Sequence, residues 1–400
     1  MTNPDDGHHR DNGGGANSLL KNPPLSLYVH MPWCVRKCPY CDFNSHRAPE
    51  SLPADEYIRA LIADLEQDLP LVWGRPVSSV YFGGGTPSLF SAAHIAEFLS
   101  AARARLDFSP DVEVSLEANP GTIEHDSFCA YAQAGVNRVS LGAQSFDDVL
   151  LKKIGRIHGR REIEKSLQSL HSSGITNFNL DLMFALPGQT IEQARRDIET
   201  AIDAGATHLS FYHLTIEPNT VFAAQPPRLP PDDQAWEMQQ LGVDLFEAAG
   251  YVQYEISAFC RANMQSRHNL NYWRYGDFLA IGAGAHGKIT LPANNKILRY
   301  AKHRHPKRYL QGLKTGDWVA ETRSLGAEDR VFEFFLNQLR LKNGVHIDDF
   351  SPRTGLDWQT VEQRVQKAIA AGLLEQLENR LKPTTLGWKF VNDIQQMFLP

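Results

Sequence analysis

The sequence predicts an α/β fold: six strand–helix units building a parallel sheet, closed or partly closed as a (β/α)6 barrel, followed by a smaller, mainly helical, winged-helix-like domain. Two observations carry the first part. Short β-branched or aromatic runs alternate with helical patterns from Leu25 to about Gly250, and successive strands end in polar or glycine-rich loops. A third observation carries the rest: after about Tyr251 the alternation stops, and the chain closes with two helical patterns and a hairpin pattern.

In chain order, residues 1–24 are expected to be a disordered polar tail. They carry Asp5, Asp6, His8, His9, Arg10 and Gly13-Gly14-Gly15, with no apolar stretch before Leu19, so they read as neither a signal peptide nor a transit helix. The barrel is assigned to residues 25–250. Its strands are expected at 26–30, 79–82, 113–116, 138–141, 177–184 and 208–215, and its helices at 54–68, 92–105, 125–134, 162–173, 190–204 and 233–249. The second strand runs into Gly83-Gly84-Gly85-Thr86-Pro87, the third into Glu117-Ala118-Asn119-Pro120, the fourth into Gly142-Ala143-Gln144-Ser145, and the fifth carries Asp181. Polar endings on apolar strands place a ligand at one mouth of the barrel. Residues 251–323 form an aromatic-rich connecting region with a glycine loop, 282–287. Residues 324–400 supply helical patterns at 328–341 and 359–371 and a hairpin at 373–383. They lack a basic recognition helix and read as a packing or partner-binding module.

Four hundred residues, 42% hydrophobic, with a formal charge of −6, describe a globular chain that does not hold nucleic acid by bulk charge. The basic run 302–308 reads as a solvated face. No run of about 18 apolar residues is present, so the expected location is cytoplasmic, where thiols stay reduced.

Chemistry concentrates in Cys34, Cys38 and Cys41, spaced C-x3-C-x2-C on one loop. Three thiolates can hold three irons of a [4Fe-4S] cube and leave the fourth open to a small ligand, as in radical S-adenosylmethionine (SAM) proteins, whereas electron-transfer clusters use four cysteines. Structural zinc needs four closed ligands and would have to recruit His30 or His46. Cys129 and Cys260 stand apart and read as buried small apolar side chains.

The run Tyr28-Val29-His30-Met31-Pro32-Trp33-Cys34 through Cys41-Asp42-Phe43, the 83–87 loop and His268-Asn269-Leu270-Asn271-Tyr272-Trp273 resemble the HemW heme chaperones. These are radical-SAM relatives of oxygen-independent coproporphyrinogen III oxidase. The oxidase continues its third cysteine as C-x-C and has a longer N-terminal extension. Phe43 and the short tail favour the chaperone branch over that alternative, the decarboxylation of coproporphyrinogen.

By that resemblance Cys34, Cys38 and Cys41 bind the cluster. SAM is held by Tyr28, Tyr40, Gly84, Gly85, Thr86, Glu117, Gln144, Arg156 and Asp181, and heme by His268, Asn269, Tyr272 and Trp273. Cys260, His286 and His213 are rival axial ligands. No catalytic residue is assigned. The implied partners are heme, heme-accepting proteins that include membrane respiratory enzymes, and an electron donor. Peripheral contact at the inner face of a membrane and a homodimer are compatible with it.

Overall fold

The computed structural model describes residues 19–121 and 126–400. The first 18 residues of the expected tail, and His125 of the expected third helix, lie outside the described residues.

Six parallel strands lie side by side in chain order: β1 (Leu25–Met31), β2 (Val77–Gly84), β3 (Phe108–Ala118), β4 (Arg138–Gln144), β5 (Asn177–Phe184) and β6 (His208–His213). Each corresponds to an expected strand; β5 has the expected bounds and the others are lengthened or trimmed at their ends. The helices follow suit at Ala54–Asp68, Ala92–Arg103, Phe128–Gln133, Arg160–His171, Ile191–Asp203 and Asp232–Ala248. Ser91 and Thr190 cap two of them by accepting from backbone N–H groups three residues on.

The sheet does not stop at six strands. Residues 251–323, where the sequence alternation breaks down, add β7 (Val252–Glu255) and β8 (Ala258–Cys260) beyond β6. They also add β9 (Asp277–Ile281), β10 (His286–Leu291), β11 (Lys296–Lys302) and β12 (Val319–Ser324) on the far side of β1. The strand order is β12-β11-β10-β9-β1-β2-β3-β4-β5-β6-β8-β7, an open twelve-stranded array in which β9 joins β1 in parallel and the outer pairs are antiparallel.

Strand residues alternate sharply. Leu27, Val80, Leu116, Val139, Leu180 and Leu209 are fully buried on one face; a side chain of this kind contributes roughly 1.5–3 kcal/mol on burial. The residues between them are polar and bond to one another. Ser79 donates to Ser26 at 2.7 Å, Tyr81 to Glu117 at 2.8 Å, Asn179 to both Ser140 and Asp181 at 2.8 and 2.7 Å, and Tyr212 to Gln144 at 2.7 Å. Parallel sheets usually carry near-continuous apolar strands. This one instead presents a hydrogen-bonded polar face, which is where the site lies.

The C-terminal part packs Ala327–Gln338 and Gln359–Ala370 with the antiparallel pair Leu374–Leu377 and Arg380–Pro383. Phe335 stacks on Phe398 at 3.7 Å, and the same apolar cluster takes in Tyr275 and Ile297 from the sheet side. Of the two isolated cysteines, Cys260 is buried as expected, but Cys129 is exposed on its short helix.

One buried ionic cluster ties the added strands to the first helix. Lys302 Nζ lies 2.5 Å from Asp64 and 2.7 Å from Asp68, and Asp64 also accepts from Tyr309 at 2.7 Å and from the N–H of Gly282 at 3.2 Å. Removing one member of such a cluster leaves charge buried and unpaired. Lys302→Ala is therefore expected to destabilise the protein by about 3–5 kcal/mol, read as a lower denaturation midpoint in urea.

Candidate cofactor and ligand site

The cysteine loop leaves β1 and is fixed at both ends by main-chain bonds. Near its start, Trp33–Cys34 pairs in parallel with His46–Arg47, and the N–H groups of Gly85 and Thr86 donate to the carbonyls of Met31 and Trp33 at 2.7 and 2.8 Å. The 83–87 loop can lie this close because Gly85 has no side chain: a Cβ there would sit 2.5 Å from the Trp33 carbonyl oxygen. Gly84 adopts φ +110°, and a Cβ on it would meet the His30 ring at 2.4 Å. These two glycines are thus required by chain against chain, whatever ligand also approaches them.

Asn44 fixes the other end. Its side-chain amide donates to the carbonyls of Ala283 and Arg304 at 2.9 and 2.8 Å, and its own carbonyl accepts from His30 Nε2 at 2.9 Å. Since that carbonyl can only accept, His30 Nδ1 is the acceptor for the Tyr28 hydroxyl at 2.9 Å. Burial holds His30 down to about 4, so the ring is neutral in this role.

All three thiols, half-buried, line one cavity of about 150 Å³. Tyr40, Gly84, Gly85, Thr86, Glu117, Gln144, Arg156 and Asp181 line it too. The structure therefore brings together every residue expected around cluster and SAM except Tyr28. Burial pushes the Cys34 and Cys41 thiols up, a cost that a bound cation reverses.

Glu117 accepts from Tyr81 and, at 3.1 Å, from the N–H of Gly84. Burial pushes its carboxyl up to about 7, against the Tyr81 bond and with help from the nearby Asp181 charge. Gln144, at φ +72°, turns its amide oxygen to Tyr212. Arg156 donates to Asn119 at 2.5 Å, to the Gly142 carbonyl at 2.7 Å and to Cys38 Sγ at 3.6 Å, while its buried Nε has no partner. Asn119 in turn donates to Thr86 at 2.9 Å. Tyr81, Tyr212 and Asn44 were not singled out in the sequence, and Asn119 was named only as part of a strand ending. For Tyr81 and Tyr212 the available signal was their place in period-2 polar alternation along apolar strands.

A larger cavity, about 610 Å³, adjoins the first and shares Phe43, Gly84 and Glu117 with it. Its volume falls within the ~300–1,000 Å³ of small-molecule sites. Tyr28 and Tyr272 line it; His268, Asn269 and Trp273 do not. All four motif residues sit on the helix Arg267–Trp273. His268 is 3% exposed, its ring stacked on Tyr81 at 4.7 Å and set 5.0 Å from Tyr272. The Ser79 hydroxyl lies 3.1 Å from its Nδ1. Trp273 packs under the Arg340 guanidinium at 4.2 Å, and Asn269 is half-buried.

Residues 28–201 match the radical SAM superfamily and residues 325–390 the HemN C-terminal domain. The chain is 45% identical over 381 residues to the heme chaperone HemW of Escherichia coli, covering 95% of this chain and all of that one. The chain belongs to the HemW family. HemW of Haemophilus influenzae is likewise 45% identical, covering 95% and 99% of the two chains, and HemW of Bacillus subtilis 34%, covering 94% and 99%. The solved structure of the Escherichia coli coproporphyrinogen III oxidase HemN, a radical SAM enzyme, superposes with a TM-score of 0.79 over 96% of this chain and 91% of that one. At 24% identity it bears on the fold alone.

The residues fit the groups a radical-SAM HemW protein carries. Three thiols share one cavity with the Arg156 guanidinium, which lies 3.6 Å from Cys38 Sγ, and with the glycine loop 84–86.

Two expectations follow. Gly85→Ala is expected to push the 83–87 loop off the cysteine loop and lower iron and acid-labile sulfide per reconstituted chain, measured by colorimetric assay, while leaving the circular dichroism spectrum intact. For Glu117 the folded carboxyl titrates near 7 against an ordinary value of 4.5. Its contribution to stability is thus complete below the lower value and lost as pH rises through the upper one. The apo-protein melting temperature of Glu117→Gln, minus that of wild type, is expected to grow between about pH 5 and about pH 7.5, by scanning calorimetry.

Proposed function

We propose that this chain is a heme chaperone, binding heme beside a SAM-liganded [4Fe-4S] cluster and passing it to acceptor proteins. The observation that carries this reading is the near-full-length identity to HemW heme chaperones of three bacteria. The geometry supports it: an aromatic-walled cavity of ligand size shares a wall with the cavity of the three thiols.

In this reading Cys34, Cys38 and Cys41 hold the irons. Arg156 pairs with the methionine carboxylate of SAM, the 84–86 backbone receives its amino-acid end, and Glu117 and Asp181 accept from hydroxyl groups of its ribose. When bound, the cluster and SAM together supply one-electron chemistry at the sulfonium. Tyr40 closes the thiol cavity, and Phe43 stands where the two cavities meet, 61% exposed. Tyr28 and Tyr272 supply aromatic faces for a porphyrin, with His268 packed behind them.

Acceptors that include membrane respiratory proteins, an electron donor to the cluster, a homodimer and a cytoplasmic location touching the inner membrane face belong to the same proposal. No helix among the described residues is long and apolar enough to cross a membrane.

The test is an anaerobic hemin titration of the cluster-reconstituted protein followed at the Soret band, with saturation expected at about one heme per chain. In parallel, coproporphyrinogen III with SAM and reductant is expected to remain undecarboxylated. Sustained formation of protoporphyrinogen would replace the chaperone reading with the oxidase one.

A further inference from the structure

We propose that His286, on β10 at the large cavity, supplies the axial imidazole to heme iron, and that Arg304 at the same cavity receives a propionate. This rests on the heme-chaperone reading and names the groups that would carry it.

Two histidines line the cavity, His30 and His286. His30 is fully used: one ring nitrogen donates to the Asn44 carbonyl and the other accepts from Tyr28. The His286 ring makes no hydrogen bond among the described residues, and the residue is exposed. Its strand alternation puts it on the same face as Lys288, two residues on, which also lines the cavity. Partial desolvation against the cavity wall, then the Arg304 and Arg299 charges, keep its imidazole below the usual range and so in the neutral form that binds iron.

The other histidine and cysteine candidates are placed less well. His268 is sealed behind Tyr272 and stacked on Tyr81, with Ser79 at its Nδ1, so iron could reach it only by parting that stack. Cys260 is 1% exposed within β8, and His213 lines a different cavity of about 300 Å³.

Three cationic side chains line the large cavity. Lys288 is held by Asp277 at 2.9 Å and Arg299 by Glu333 at 2.6 Å. Arg304 has no carboxylate within ion-pair distance among the described residues and is exposed, although Asp42 lines the same cavity. A guanidinium free to pair at the mouth of an aromatic pocket suits the carboxylates of a porphyrin.

The experiment is an anaerobic hemin titration of the full-length reconstituted chain, read by absorbance and by electron paramagnetic resonance of the ferric heme. His286→Ala is expected to lose the imidazole signature and to weaken binding about tenfold or more, with added free imidazole restoring the signature. His286→Cys is expected to replace it with a thiolate signature, a gain that misfolding cannot mimic. Arg304→Gln is expected to weaken hemin binding several-fold but leave the binding of heme dimethyl ester, which lacks the carboxylates, unchanged.

An imidazole signature kept in His286→Ala, or lost in His268→Gln while kept in His286→Ala, overturns the ligand assignment and leaves the chaperone reading standing. Equal weakening of hemin and its ester by Arg304→Gln overturns the propionate assignment. Absence of specific hemin binding by wild type brings down the chaperone reading itself, and the ligand assignment with it.

Discussion

The arrangement of both cavities depends on how closely two loops can approach the end of β1. The main-chain bonds from Gly85 and Thr86 to Met31 and Trp33 set where the first cysteine begins, and they exist only because Gly85 presents no Cβ to the Trp33 carbonyl. The other anchor, Asn44, needs an equally bare partner: a Cβ on Gly284 would fall 2.1 Å from its amide nitrogen. The cysteine loop is thereby held by main-chain bonds at one end and by the Asn44 side-chain amide at the other. This leaves its thiols free to face the cavity.

Holding the ligand loop this way requires polar groups inside the sheet, and they are satisfied by one another. The chain from Tyr81 to Glu117 to the Gly84 N–H joins β2, β3 and the glycine loop, and Tyr212 to Gln144 joins β6 to β4. Buried polar networks of this kind rigidify when complete and are costly when broken. Arg156, at the thiol cavity, ends the network, bonded to Asn119, the Gly142 carbonyl and Cys38 Sγ.

Much of this was legible in the residues. The six-strand alternation, the C-x3-C-x2-C loop and the polar strand endings identified the parallel core, and together with the family resemblance they named most of the residues around the thiols. Local pattern suffices when an element is long and its neighbours in space are its neighbours in sequence. The strands β7–β12 were not legible, because no strand–helix alternation marks them and most of them pair antiparallel. The contact that joins the far-side strands to the sheet is non-local, Leu25 of β1 against Asp277 of β9 some 250 residues on, while β9 to β12 pair with one another in chain order. The large cavity was hidden for the same reason: His30, Phe43, Tyr272 and His286 meet only after β9 has closed against β1. Nor does a motif reveal which of its side chains faces outward. By resemblance His268 is an expected heme ligand in H-N-x-x-Y-W, yet the helix turns Tyr272 to the cavity and His268 to the stack on Tyr81.

Tyr275 and Asn337 line the large cavity, and both belong to the junction with the C-terminal domain, Tyr275 through its apolar cluster and Asn337 through the helix Ala327–Gln338. Cargo that touches both surfaces is bound by the seam between two folding units. Thermodynamic reciprocity then applies: whatever tightens the seam raises affinity for the cargo by the same factor by which the cargo tightens the seam. A protein that gripped the outer face of the C-terminal domain would thereby gain leverage over a ligand in this cavity without ever reaching it.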